Sequence, residues 1–347
     1  MFERISFPGS RAKRGSILVV VLWALFFLAA LAAAIYALLV PQIGLAGRLK
    51  DRTRLYYLAQ AGAQKAMAVL ADDETEDTDG FKDVWANSEE EFKDMHLSAE
   101  GYVSVSYKLL NDDGAEETRY GLVDEAGKIN VNKATADVLE QLFELTAQTT
   151  SQTASDIADS ILDWVDEDSD PHTNGAEDGY YEGLAQAYAC KDAKFQIREE
   201  LLLVKGMTQD IFDKVGAYLT VYGNGKVNFN TAGKYVLEAL GMSDTLADKL
   251  IQFRRGNDDQ EATADDNIFE SVETVAASLS NGVGLSAEEA GQLNTVIASG
   301  LVGVRSDYFS GESNAELRYD DEEEARPTSN IFFVVDRGKN IRYWREQ

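Results

Sequence analysis

The chain has 347 residues, 45% of them hydrophobic, and a net charge of −28; that is enough for two or three domains with real cores. From Asp51 onward 59 acids face 26 bases, a balance of −33. Such a surface repels nucleic acid and anionic membrane and suits a cation or a basic partner, and solubility alone accounts for most of it. Cys190 is the single cysteine and His96 and His172 are the two histidines. An intrachain disulfide is therefore excluded, zinc lacks ligands, and no Ser-His-Asp or Cys-His grouping or nucleotide-binding loop is visible. The chain reads as a non-enzyme.

Near the N-terminus, Arg4, Arg11, Lys13 and Arg14 stand against Glu3 alone, and Ser16 to Gly47 carries no charge. A helix of about 20 apolar residues crosses the hydrocarbon layer, and Ile17 to Val40 exceeds that. The flanking bases keep the N-terminus cytoplasmic and send the rest across. A secretory signal cut near Ala32-Ala33-Ala34 and a plain anchor are the simpler alternatives, but a signal's apolar region is roughly 7–15 residues. Beyond Pro41, which can kink a helix without ending it, Leu55, Leu58, Ala59, Ala63, Ala66, Met67 and Leu70 fall near helical spacing. One helix over 16–71 is expected.

The acidic run from Asp72 to Asp79 reads as a loop. Tyr102–Tyr107 alternates apolar and small polar residues and Thr118–Val123 follows Asn111-Asp-Asp-Gly114, which predicts a hairpin. Ile331–Val335, the turn Asp336–Asn340 and Ile341–Trp344 predict a second one. Between them lies a mainly helical stretch, so the expected class is α+β, an antiparallel sheet split by a helical insertion. That insertion repeats: Gly127-Lys-Ile-Asn-Val-Asn-Lys-Ala recurs as Gly225-Lys-Val-Asn-Phe-Asn-Thr-Ala, an offset of 98. In each copy an Asn stands where its side chain can cap a following helix. Two lobes are expected, over 127–224 and 225–300. Asp320–Glu324 is a further acidic loop.

The most chemically specific stretch is Ile161-Leu-Asp-Trp-Val-Asp166-Glu-Asp168-Ser-Asp170-Pro-His-Thr-Asn-Gly-Ala-Glu177-Asp178. Asp166, Asp168, Asp170 and Glu177 take positions one, three, five and twelve of a calcium loop, with Asp178 beside them. These five acids repel one another unless a cation joins them. Pro171 stands where an EF-hand needs Gly, and Asp178-Gly-Tyr-Tyr181 continues poorly as a helix, so a calcium loop after one helix is expected rather than an EF-hand. A merely solvated acidic loop is the alternative, but Trp164, Tyr180 and Tyr181 indicate packing. Asp258 and Asp265 leave a second site open.

Several of these motifs resemble one family. Lys13-Arg14-Gly15 followed by Ser16 and an unbroken apolar helix resembles the leader of type IV pilins and type II secretion pseudopilins. The resemblance implies cleavage by prepilin peptidase between Gly15 and Ser16, then methylation. Most members carry Glu at the fifth mature position, where this chain has Val20; the K-type minor pseudopilin typically lacks it. Asp163-Trp-Val-Asp166 through Asn174-Gly-Ala-Glu-Asp-Gly-Tyr-Tyr181 resembles the same family, which implies structural calcium. On that resemblance 1–15 is a leader, 16–71 the transmembrane and spine helix, 72–126 with 301–347 a pilin-like domain, and 127–224 and 225–300 the two lobes.

The implied protein is an inner-membrane, single-pass subunit with its bulk in the periplasm. It caps the pseudopilus tip with I- and J-type minor pseudopilins and other pseudopilus subunits, and helps initiate assembly for protein export. The lobes also resemble helix-hairpin-helix or SAM-like modules, and the second is similar to membrane-anchored DNA receptors of competence systems. That receptor and a minor type IV pilin are the alternatives. Asp244, Asp248, Asp258 and Asp259 outweigh Lys249, Arg254 and Arg255, so nucleic acid is not expected as a partner.

Overall fold

The computed structural model describes residues 16–73, 75, 77–110, 116–319 and 327–346. The leader with Gly15, the turn Asn111–Gly114 and Asp320–Glu324 lie outside the described residues. The chain forms two compact units, residues 1–54 and 55–347. Helix α1 (Ser16–Ala71) runs unbroken through Pro41. Its apolar residues from Ile17 to Val40 are exposed, and among the described residues it is the one helix long and apolar enough to cross a membrane.

In the second unit the expected spacing is realised. Leu55, Leu58, Ala59, Ala63, Ala66, Met67 and Leu70 are buried against a sheet. The approach is close at Gly62, where an added Cβ would sit 2.2 Å from Ser313 Oγ and 2.5 Å from Val103 Cγ1. In chain order the unit continues with α2 (Glu89–Phe92), β1 (Met95–Ser98), β2 (Gly101–Leu110), β3 (Glu116–Arg119) and β4 (Val123–Asp124). The insertion follows: β5 (Ile129–Asn130), α3 (Ala136–Ala147), α4 (Ser151–Val165), α5 (Asp178–Tyr181), α6 (Gln209–Val215), β6 (Leu219–Thr220), β7 (Val227–Asn228), α7 (Lys234–Ala239), α8 (Asp244–Arg254), α9 (Val275–Gly282), α10 (Ala287–Ala298) and β8 (Val302–Gly303). It ends at β9 (Tyr308–Leu317), β10 (Thr328–Asp336) and β11 (Ile341–Glu346).

Both expected hairpins form, β2 with β3 and β10 with β11. The sheet runs β1-β2-β9-β10-β11, with β3 on β2 and β4 on β9, antiparallel throughout. Its central strand β9 is not evident in the sequence. Ser310, Gly311 and Ser313 are small because neighbours press close: a Cβ on Gly311 would lie 2.6 Å from Leu122 Cδ2. Beyond Tyr308 and Phe309 the strand therefore lacks the β-branched and aromatic residues that signal one.

The two lobes share one hydrophobic core running from Ile129 to Val302, and each copy of the repeat folds alike. β5 pairs in parallel with β6, and β7 with β8, so each lobe opens and closes on a short strand pair. The asparagines do not cap helices; Thr135 and Gly233 stand at those N-caps. Instead Asn130 and Asn228 turn their own backbone, accepting from the N–H of Asn132 and Asn230. Asn132 Oδ1 accepts from Phe195 N–H at 2.7 Å and Asn230 Oδ1 from Phe269 N–H at 2.8 Å. These side chains hold distant loops, which outweighs a cap because the loop groups are buried.

Candidate metal centre

Helix α4 buries Ile157, Ala158, Ile161 and Trp164 on one side, while Asp163, one turn on from Asp159 and away from that apolar stripe, is nevertheless fully buried. A carboxylate enclosed this way needs partners. Asp163 Oδ1 accepts the His172 backbone N–H at 3.0 Å and is hydrogen-bonded to the His172 ring. Its other oxygen has no partner. The chain then turns back over α4. Asp159 Oδ2 accepts both the Asn174 backbone N–H and its Nδ2 at 3.0 Å, and Lys205 Nζ donates to the carbonyls of Asn174 and Gly175. Gly175 is required at this crossing, for a Cβ there would fall 1.8 Å from Asp163 Oδ2.

The return delivers Glu177, 7% exposed, whose two oxygens have no hydrogen-bond partner. Asp166 Oδ1 and Asp192 Oδ1 are likewise buried and unpartnered. Ligand atoms of Asp163, Asp166 and His172 lie within 4.8 Å of one another, as do those of Glu177, Cys190 and Asp192. Burial, then the negative charge of Asp163, pushes the Glu177 carboxyl up to about 7, with Asp192 and Asp166 adding to it. Burial first, then Asp168 and Asp163, raises Asp166. Beneath them Trp164 meets Tyr181 edge-on at 5.2 Å, and Tyr181 stacks on Tyr188. The Cys190 thiol is pushed up to about 12 by burial, so it stays protonated beside the acids.

Five buried carboxylate oxygens from four residues have no donor, and they fall in two groups, Asp163 with Asp166 and Glu177 with Asp192; their chemistry is that of a hard cation's ligands. Calcium takes six to eight oxygens in flexible geometry, and the thiol and single imidazole suit softer metals poorly. The set differs from the spacing-based one. Asp166 and Glu177 belong to it. Asp168 and Asp170 are exposed, and Asp168 Oδ1 accepts the Asp170 N–H instead. Asp178 Oδ1 accepts the Cys190 N–H at 2.7 Å. Pro171 explains the difference, since without the glycine of an EF-hand the loop does not wind its alternate carboxylates inward. Asp163 and Asp192 stand in these groups but not in the spacing-based set. Asp163 shares the acidic side of α4 with Asp159, so neither it nor Asp192 carried a signal in the pattern.

Elsewhere, Asp73, Asp79 and Asp83 also cluster, but Arg337 bonds to Asp73 at 3.2 Å and to Asp79. Asp265 accepts from Asn257 N–H and Thr263, while Asp258 caps Gln260. In the second lobe α7, the turn at Gly241 (φ +100°) and α8 do form a helical hairpin. Its bases are engaged: Lys249 with Glu289, and Arg254 with Glu261 and the carbonyls of Phe229 and Ala232.

An apolar helix carried on into the core of an antiparallel sheet, with a two-lobed insertion opening that sheet, defines a pilin-like subunit enlarged by helices. Residues 110–224 match the family model described as Type II secretion system (T2SS), protein K. A chain in the crystal structure of the GspK-GspI-GspJ complex from the enterotoxigenic Escherichia coli type 2 secretion system has the same fold, with 18% identity, a TM-score of 0.62, and coverage of 86% of this chain and 98% of that one. No curated protein matches the chain. Over residues 110–224 the sequence is similar to the K proteins of the type II secretion system, and the chain as a whole shares the fold of the solved one.

Proposed function

We propose that this chain caps the tip of the pseudopilus, in the company of I- and J-type minor pseudopilins, with calcium stiffening its first lobe. The observation that carries this reading is the insertion. It leaves the sheet at Asp124 and rejoins it at Tyr308, so the pilin-like sheet bears a second body comparable to itself, an obstacle to stacking another subunit above. Val20 in place of the usual Glu removes the contact an upper neighbour would use. Before assembly α1 anchors the precursor in the inner membrane with the bulk outside the cytoplasm, after prepilin peptidase has cut between Gly15 and Ser16.

In the first lobe Asp163, Asp166, Glu177 and Asp192 would hold the ion, replacing four-way repulsion by attraction. Asp168, Asp170 and Asp178 serve the loop around it. The test is twofold. Residues 51–347 mixed with the soluble parts of the cognate I- and J-type subunits should elute as one complex, and separate elution refutes the partnership. Calcium added after chelation should bind saturably and stabilise the fold by about 2.7 kcal/mol at one hundred times Kd, read as a rise in melting temperature. Glu177→Ala should abolish the rise; an unchanged rise in that variant refutes the site.

A further inference from the structure

Arg48, Lys50 and Arg52 are exposed on α1, directly after the uncharged run that ends at Gly47. With 3.6 residues per turn, Arg48 and Arg52 share one side of the helix and Lys50 lies nearly opposite. Positive charge therefore surrounds the helix instead of lining one face. A protein partner docks on one side; a headgroup layer encloses a helix all round. The axial distance agrees. Ser16 to Arg48 is 32 residue steps, about 48 Å at 1.5 Å each, close to the ~40–45 Å of a bilayer with its headgroups. With Ser16 at one headgroup layer, these bases reach the other, where long aliphatic stems let their charges find phosphate. The chain from Thr53 onward carries 25 bases against 58 acids, or −33, so this band precedes the acidic bulk.

We propose that Arg48, Lys50 and Arg52 form a collar for anionic lipid phosphates on the exported side of the membrane, fixing the depth at which the anchor rests. The collar rests on the reading of α1 as a membrane anchor. To test it, the full chain is reconstituted in bilayers containing spin-labelled phosphatidylglycerol or phosphatidylcholine, and lipid immobilised at the protein surface is measured. Wild type should prefer phosphatidylglycerol by at least about threefold at low salt, and the preference should fall to near unity in 1 M salt. Combined R48Q, K50Q and R52Q substitutions should abolish the preference while leaving the amount of immobilised phosphatidylcholine unchanged. Immobilised lipid with no anionic preference, or a preference that survives the three substitutions, overturns the collar but leaves the anchor standing. Absence of any immobilised lipid overturns both.

Discussion

Gly175→Ala tests the geometry of the acidic cluster directly. The new methyl carbon would fall 1.8 Å from Asp163 Oδ2 and 2.7 Å from its Cγ, and Asp163 has little freedom to retreat, since it is fully buried and its other oxygen is held by His172. The loop must yield instead. Overpacking of this kind costs about 1–3 kcal/mol. Lifting the loop also weakens the two hydrogen bonds from Asn174 to Asp159 and the two from Lys205 to the Asn174 and Gly175 carbonyls, a further ~1 kcal/mol or more once their return to water is counted. A total near 2–4 kcal/mol corresponds to roughly 4–12 °C in melting temperature for a unit of this size. Calorimetry on residues 51–347 with calcium chelated should show that loss. Because Glu177 follows two residues later, calcium affinity should drop at least about tenfold, the equivalent of 1.4 kcal/mol. A variant that melts within a degree of wild type and binds calcium equally would show that the loop does not cross Asp163 as described.

The revised ligand set predicts a division among the acids: Asp168→Ala and Asp170→Ala should leave calcium affinity within about twofold, while Asp163→Asn and Asp192→Asn weaken it more than tenfold, as read by isothermal titration. Asn230→Ala strands the N–H and C=O of buried Phe269 and should cost about 2–4 kcal/mol in urea unfolding. The equivalent Asn132→Ala, at a half-buried position, should cost about half as much, because water can reach the freed groups. Glu289 is held low, to about 2, by Lys249 and by the Ser286 N–H it accepts. A lowered carboxyl stabilises above its unfolded value of 4.5 and loses that contribution as pH falls through the folded one. The melting gap between wild type and Glu289→Gln should therefore be constant from pH 7 to 5 and close towards pH 2.

How much the sequence revealed depended on how local each signal was. The span, the helix over 16–71 and both hairpins were legible because period and turn chemistry reside in consecutive residues. The 98-residue repeat was legible for the same reason, yet the role of its asparagines was not, since Asn132 meets Phe195 and Asn230 meets Phe269 only once the lobes fold. β9 escaped because its small residues record the nearness of Leu122 and α1 and not a strand preference. In the cluster, spacing picked out the loop and two of the four acids whose buried oxygens lack donors. It assigned inward positions to Asp168 and Asp170, which Pro171 turns outward, and it offered no way to bring Asp192 back beside Glu177.

The insertion departs from and returns to almost the same point. Val123 pairs with Ser310 and Asp124 with Phe309, so some 180 residues between them amount, topologically, to a hairpin loop whose ends are stapled at one strand. The entropy of closing a loop rises only slowly with its length, provided the loop supplies its own order. Here it does, through a core of its own. Once folded, the lobes hold Tyr308 beside Asp124, and so present β9 to β4 and β2. The largest appendage of this molecule is then also the device that completes the domain it interrupts.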